Sequence, residues 1–453
     1  MLKPIFLKNS MSVLRFPKPS ANTFLIGFVV KTGSAMEYGN FSQGISQLVE
    51  RLFWRGTYKH PSTKNLNLAL EGLGGEFQSF TTQENTCFYI EVPTNNQYKA
   101  ISFMAEIIQR SYFDSRDVEL EKKNLAEELK TYSQNLNYEL EEASMSNIYS
   151  NSSMGFPVNG YIETINQITH TQVLEYLSHQ YSPNICSVVL SGNFESKKTL
   201  ELLEQEWSIW NPKVKKPIEL KPFSNDDVGI LPKMNYRQRG VAQTYLSVDF
   251  ILDEGYMPSF ETENIDGDDK REDKNLIEKR LENMANLMVL NAVLGQGFSS
   301  RLWAKGVEEE VLFNHIESKI QLFTMTSFLQ IIGGMDNLQF SFGLECILST
   351  LDSLRKTTVS INELSKTKSY LKGLLVRQHE NLFVNTVWSV ENYLGSGLIY
   401  DLDKLLEKID KVEAPALRSI ALDLFIPERM SITTLGTAKE TRLVDKLISK
   451  YLG

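Results

Sequence analysis

Histidine and cysteine are scarce in this chain, and their scarcity narrows the chemistry open to it. Its five histidines are His60, His170, His179, His315 and His379. No two stand at the spacing that puts a pair of imidazoles on one helix face for a metal. The three cysteines, Cys87, Cys186 and Cys346, are far apart and form no CxxC pair, as in a reducing compartment with incidental buried thiols. No run approaches the ~18 consecutive apolar residues of a membrane span. Positive charge is also in deficit, with Lys and Arg totalling 47 against 56 for Asp and Glu, a net charge of −9. That balance excludes nucleic acid or an anionic membrane as the main partner.

What is present describes a globular chain. Apolar residues make up 42% and charged residues 23% of 453 positions, enough apolar material to bury more than one core. The first 21 residues carry four cations (Lys3, Lys8, Arg15 and Lys18) and no acid, as a targeting presequence would. Residues 4–16 also read as an opening strand and turn, and we expect the strand. The expected location is the cytoplasm, with the mitochondrial matrix or its inner-membrane face as the alternative.

The chain repeats itself. Residues 162–192 lie without a gap on residues 406–436, so that Glu163 meets Glu407, Ile165 meets Ile409, Tyr181 meets Phe425, Pro183 meets Pro427 and Gly192 meets Gly436. Each copy reads as helix, proline, then a β-rich strand ending in glycine, the proline stopping the helix because it lacks an N–H and clashes with the preceding turn. Two copies imply two homologous halves. The class is α+β, each half a mainly antiparallel sheet packed with helices, and the two joined by a linker to form a half-chamber. The expected halves are 1–210 and 233–453, with a proline-rich linker at 211–232 and an acidic, solvated insertion at 254–274. TFLIGFVV (23–30) and TCFYIEV (86–92) read as strands, and 115–145 as one long helical stretch.

GISQLVERLFWRGT (44–57) is the informative stretch. Ile45, Leu48, Val49, Leu52 and Phe53 recur at helical spacing, and Gln47, Glu50, Arg51 and Trp54 share the other face. This stretch resembles the H-x-x-E-H helix of the pitrilysin and mitochondrial-processing-peptidase family of zinc peptidases, the inverzincins. The resemblance extends from about residue 5 to 450. In that family two histidines bind zinc and the glutamate between them activates water. Here those positions hold Gln47, Glu50 and Arg51. The family's third ligand and its supporting glutamate, seven residues earlier, fall on Glu128 and Glu121. The resemblance therefore implies a degenerate site: the carboxylates Glu50, Glu121 and Glu128 remain and both imidazoles are gone. No zinc and no other cofactor is expected, and no residue is assigned a catalytic role. Without a metal the carboxylates repel one another, and the Arg51 guanidinium is expected to supply the missing charge by a bidentate contact to one of them.

In the second half, LMVLNAVLGQGFSSRLW (287–303) resembles the family's helix and glycine-rich loop. No Lys-Ser or Lys-Thr pair follows Gly295 and Gly297, so a phosphate loop is excluded. The family's substrate-clamping arginine and tyrosine fall on Val307 and Asn314, so that signature is lost as well. GLGGEFQSFTTQENTCFYIEV (72–92) resembles the family's substrate-side strand, whose edge can pair with an extended peptide.

Three functions follow from the resemblance. The chain is expected to be a non-catalytic subunit that pairs with an active zinc-bearing homologue and helps enclose a peptide. The first alternative is a structural scaffold like the core proteins of the respiratory cytochrome complex. The second is a metalloendopeptidase with non-standard ligands.

Overall fold

The computed structural model describes residues 4–39, 41–132, 134–210, 231, 233–252, 270–324, 326–396, 401–437 and 441–453. The expected opening strand and turn is β1 (Ile5–Phe6) and β2 (Ser12–Pro17), an antiparallel pair. β3 (Thr23–Val30) follows, then α1 (Ile45–Leu52) and α2 (Thr63–Glu71). A hairpin of β4 (Glu76–Thr81) and β5 (Thr86–Pro93) leads to α3 (Gln97–Arg110) and α4 (Ser115–Tyr132). After α5 (Leu136–Ile148) come α6 (Ile162–Gln167), α7 (His170–Gln180), β6 (Cys186–Gly192) and α8 (Ser196–Trp207).

The single helix expected over 115–145 is two. Asn135 breaks it, its side-chain oxygen accepting from the N–H groups of Asn137 and Tyr138 to cap α5. An asparagine cap satisfies orphan donors that a continuous helix would have paired internally.

The second half repeats the plan. β7 (Lys233–Gln238) and β8 (Gln243–Ile251) precede a helix at Lys270–Leu294. β9 (Phe313–Leu322), β10 (Ser327–Asp336) and a helix at Phe340–Lys356 follow, and β11 (Met430–Gly436) ends the sheet. Residues 270–274, which the sequence suggested were insertion, form the first turn and more of that long helix. Residues 254–269 of the insertion lie outside the described residues, as does the linker except for Leu231.

Setting aside β1, the extra edge strand of the first, the two sheets share one strand order. The first runs β1-β2-β6-β3-β5-β4 and the second β7-β11-β8-β10-β9. In each, the repeated final strand pairs in parallel with the opening strand (β6 with β2, β11 with β7) and antiparallel with the next one. Every other pairing is antiparallel, so both sheets are mixed and mainly antiparallel. The sequence repeat is reproduced element by element. In the repeat register α7 corresponds to the helix Ala414–Leu424, the turn Pro183–Ile185 to Pro427–Arg429, and β6 to β11, bound for bound. Gly192 closes its strand at φ 94°, where a Cβ would lie 2.4 Å from the Thr23 carbonyl oxygen. Glycine is required there.

Two compact units result, and they do not follow chain order. The first comprises residues 1–133, 152–221 and 379–391, the second 134–151, 222–378 and 392–453. Each unit thus takes a segment from the other half of the chain: α5 packs on the second sheet, and part of the helix Leu382–Ser396 belongs to the first. In the first unit Phe24, Ile26 and Phe28 of β3 meet Ile45, Leu48, Val49 and Leu52 of α1 in one core. Burying each such side chain contributes ~1.5–3 kcal/mol.

Candidate functional site

α1 positions the site, and a residue outside the helix holds its start. Gly44 precedes the helix at φ 93° and offers no side-chain cap. Glu37 replaces it, Oε2 accepting from Gly44 N–H at 2.7 Å and Oε1 from Ser46 N–H at 2.8 Å. A carboxyl at a helix N-terminus meets both the orphan donors and the positive end of the dipole. Complete burial pushes the Glu37 carboxyl up to about 8 despite those hydrogen bonds.

The helix is shorter than the 44–57 stretch suggests. After Leu52 it tightens, with Trp54 N–H bonding to the Arg51 carbonyl and Arg55 N–H to that of Leu52. Arg55, beyond the helix end, also reaches α4. Glu121 and Glu128 lie nearly two turns apart on α4 and share a face toward these arginines.

Arg51 reaches two carboxylates, where one was expected. Its Nε donates to Glu121 Oε2 and its Nη1 to Glu128 Oε2, both at 2.8 Å. Glu121 is the buried partner and Glu128 the half-exposed one. Burial alone would lower the Arg51 pKa, but the hydrogen bonds to Glu121 and Glu128 hold it above its ordinary value. Arg55 adds a second cation, Nη1 donating to Glu121 Oε1 at 3.3 Å and Nη2 to Asp117 Oδ1 at 3.2 Å. The sequence reading passed over Arg55, although its four-residue spacing from Arg51 is the signal for a shared helix face.

Glu50 has different company. Ser79 and Thr81 of β4, two residues apart and so on one face of the strand, each donate a hydroxyl hydrogen bond to it at 2.7 Å. Its side chain is buried, and that desolvation raises its pKa against the pull of Thr81, Ser79 and the Arg51 charge. Gln47 is half-buried on the same helix. The donor set does not suit Zn²⁺. Glu121 and Glu128 are engaged by guanidinium groups, an arginine cannot coordinate, and zinc prefers imidazole, thiolate or free carboxylate to an amide. Among the described residues no group of three or more His, Cys, Asp or Glu side chains is placed to hold a metal.

In the second unit, the glycine-rich loop expected at 295–302 is residues 295–300, between the helix Lys270–Leu294 and a short helix at Arg301–Trp303. Arg301 grips Glu363 through Nε and Nη2 at 2.8 and 2.9 Å. Val307 is half-buried in a wide turn at Ala304–Glu309, and Asn314 is exposed on β9. Beside Asn314, His315 packs edge-on to Trp303, which packs in turn against the exposed Phe298.

Two copies of one sheet-and-helix unit, the first with a glutamate-bearing helix laid against a second acidic helix, define a metallopeptidase-like protein. The chain belongs to the M16 family of peptidases: the Insulinase (Peptidase family M16) model matches residues 13–160, and the Peptidase M16 inactive domain model matches residues 167–371. YmxG of Bacillus subtilis, described as an uncharacterized zinc protease, is 25% identical over 426 residues, 94% of this chain and 96% of that protein. A protease from Helicobacter pylori superposes with a TM-score of 0.80 at 19% identity, covering 96% of this chain and 98% of that one. A chain of complex III2 from Candida albicans superposes with a TM-score of 0.78 at 18% identity, covering 99% and 100%. At these identities the two structures speak to fold. No helix among the described residues is long and apolar enough to cross a membrane.

Proposed function

We propose that this chain is a non-catalytic, zinc-peptidase-like subunit that pairs with an active, zinc-bearing homologue and helps enclose a peptide. One observation carries the reading: the Arg51 guanidinium binds Glu121 and Glu128, a fixed cation where the family resemblance places a metal-binding imidazole. The charge that zinc would balance is thereby balanced without it. Glu50 has no metal-bound water to activate, and its oxygens accept from Ser79 and Thr81. Val307 and Asn314, standing where the resemblance puts the substrate clamp, carry neither a cation nor a phenol.

Peptide binding does not depend on those side chains. β4 is the terminal strand of its sheet among the described residues, paired on one side with β5. An extended peptide can add to such an edge through backbone hydrogen bonds alone. The proposed location is the cytoplasm, where the free, buried Cys87, Cys186 and Cys346 stay reduced.

A second reading, a structural scaffold, is favoured by the fit of nearly the whole chain to a chain of complex III2. Purification from native cells separates the two. A stable complex with a homologue bearing an intact H-x-x-E-H helix, and zinc in that partner, supports the paired-subunit reading. Recovery with membrane redox subunits supports the scaffold, and recovery as a lone, metal-free monomer contradicts both.

A further inference from the structure

α5 meets the second sheet through apolar side chains, with Leu140, Ala143 and Ile148 fully buried, and through a set of polar groups. Its apolar contribution includes a small cluster of Leu140 with Ile332 and Leu435, bordered by Leu136 and Tyr245. Beside it stands Asp249 of β8, wholly buried at 0% exposure. Ser144 of α5 donates to Asp249 Oδ2 and Ser247 of β8 to Oδ1, each at 2.7 Å. Gln330 of β10 donates to both serine hydroxyls, at 3.3 and 3.0 Å. Further along α5, Asn147 Nδ2 lies 2.8 Å from Ser431 Oγ and 3.2 Å from Thr433 Oγ1, both of β11.

The internal repeat supplies a control. Asp249 pairs with Ser431 as Val29 pairs with Ser187, and with Gln330 as Val29 pairs with Cys87. Ser247 likewise corresponds to Gly27. In the first unit the apolar Val29 and Gly27 stand at these two positions, and Tyr89 of β5, paired with Gly27, packs edge-on against Phe383. The fold therefore does not require an aspartate at this strand position.

We propose that Asp249, with Ser144, Ser247 and Gln330, is a proton-operated clasp that holds α5 on its sheet and releases it as the proton is lost. Among the described residues no cation bonds to Asp249 directly. Of the ionisable groups around it, Lys319 of β9 pairs with Glu141 while its charge pulls the Asp249 pKa down, Arg239 pairs with Glu139, and Glu142 of α5, itself raised by burial, accepts from Tyr138. β10 and β11 contribute the uncharged Gln330, Ser431 and Thr433. Burial pushes the Asp249 carboxyl up to about 7, against the opposing hydrogen bonds from Ser144, Ser247 and Gln330. Docked α5 therefore favours the proton, and freed α5 leaves an ordinary carboxylate. The grip is firmest at low pH, weakens as pH rises toward 7, and is constant above it. α5 follows α4, the helix that bears Glu121 and Glu128, after residues 133–135. Release would thus free the chain just beyond the arginine-bound carboxylates.

Hydrogen exchange on the full chain at pH 5, 6, 7 and 8, corrected for the intrinsic chemical rate, tests this. Protection of amides 136–148 should fall by up to ~10-fold per pH unit between 5 and 7 and level off above, while β8 and β10 keep theirs. Asp249→Asn should remove the slope. If that variant does not fold, the wild-type profile decides alone. Constant protection of α5, or a loss shared equally by β8 and β10, overturns the proposal, as does an unchanged slope in a folded Asp249→Asn chain.

Discussion

Arg51 Nη1 lies 2.8 Å from Glu128 Oε2 while its Nε, on the same planar group, serves Glu121. One side chain thereby joins α1 to α4 at two points nearly two helical turns apart. Removing it leaves Glu121, only 5% exposed, with the longer Arg55 contact as its remaining ion pair and Oε2 without its donor. We expect Arg51→Ala to cost about 3 kcal/mol in denaturant unfolding, most of it the penalty on Glu121. Glu128 is 43% exposed at its side chain, so Glu128→Gln should cost ~0.5 kcal/mol. Equal costs would show that the pairing does not depend on burial.

Arg51→Lys keeps the charge and loses the fork. An ammonium cannot bridge two carboxylates in the plane of the guanidinium. The substitution should recover less than half the stability lost in Arg51→Ala. Full recovery by lysine would mean that charge alone matters.

Glu37 predicts a pH dependence. Its carboxyl sits near 8 in the folded chain, against an ordinary value of 4.5 once unfolded. Folding therefore takes up a proton, and this contribution falls as pH rises from about 4.5 to 8. Glu37→Gln should make the decline of melting temperature between pH 5 and 8 shallower. Glu50 is raised by burial as well, so Glu50→Gln should act in the same direction. Parallel pH profiles for wild type and both variants would contradict this.

Much of the fold could be read from the repeat. Pro183 and Pro427, with Gly192 and Gly436, mark two copies because each residue does one job that no other type does as well: stopping a helix, or turning a strand at positive φ. The three carboxylates were picked out by the family resemblance, and the seven-residue spacing of Glu121 and Glu128 put those two on one helix face. The exchange of α5 and residues 379–391 between units was not. An amphipathic helix announces that it will be buried but not against which of two homologous sheets. Asp249 escaped notice because a lone aspartate in a strand reads as a surface residue until its partners Ser144 and Gln330 are known.

Gly192 offers a direct test of the repeat. Gly192→Ala combines positive φ with a close approach to the Thr23 carbonyl and should cost more than ~2 kcal/mol. Gly39→Ala, at φ 72° with nothing within 4 Å, should cost about 1 kcal/mol. Thermal or denaturant unfolding of both variants would show the difference, and equal losses would contradict the packing account.

The replacement of metal by guanidinium is tested most directly by zinc stoichiometry. Wild type and a Gln47→His/Arg51→His variant would each be equilibrated with zinc, desalted and analysed for bound metal. Restoring both imidazoles beside Glu128 gives zinc three ordinary ligands. We predict no tightly bound zinc in the wild type and one per chain in the variant, lost again when Glu128→Gln is added. One tightly held zinc per wild-type chain, removed by Glu128→Gln, would contradict the account.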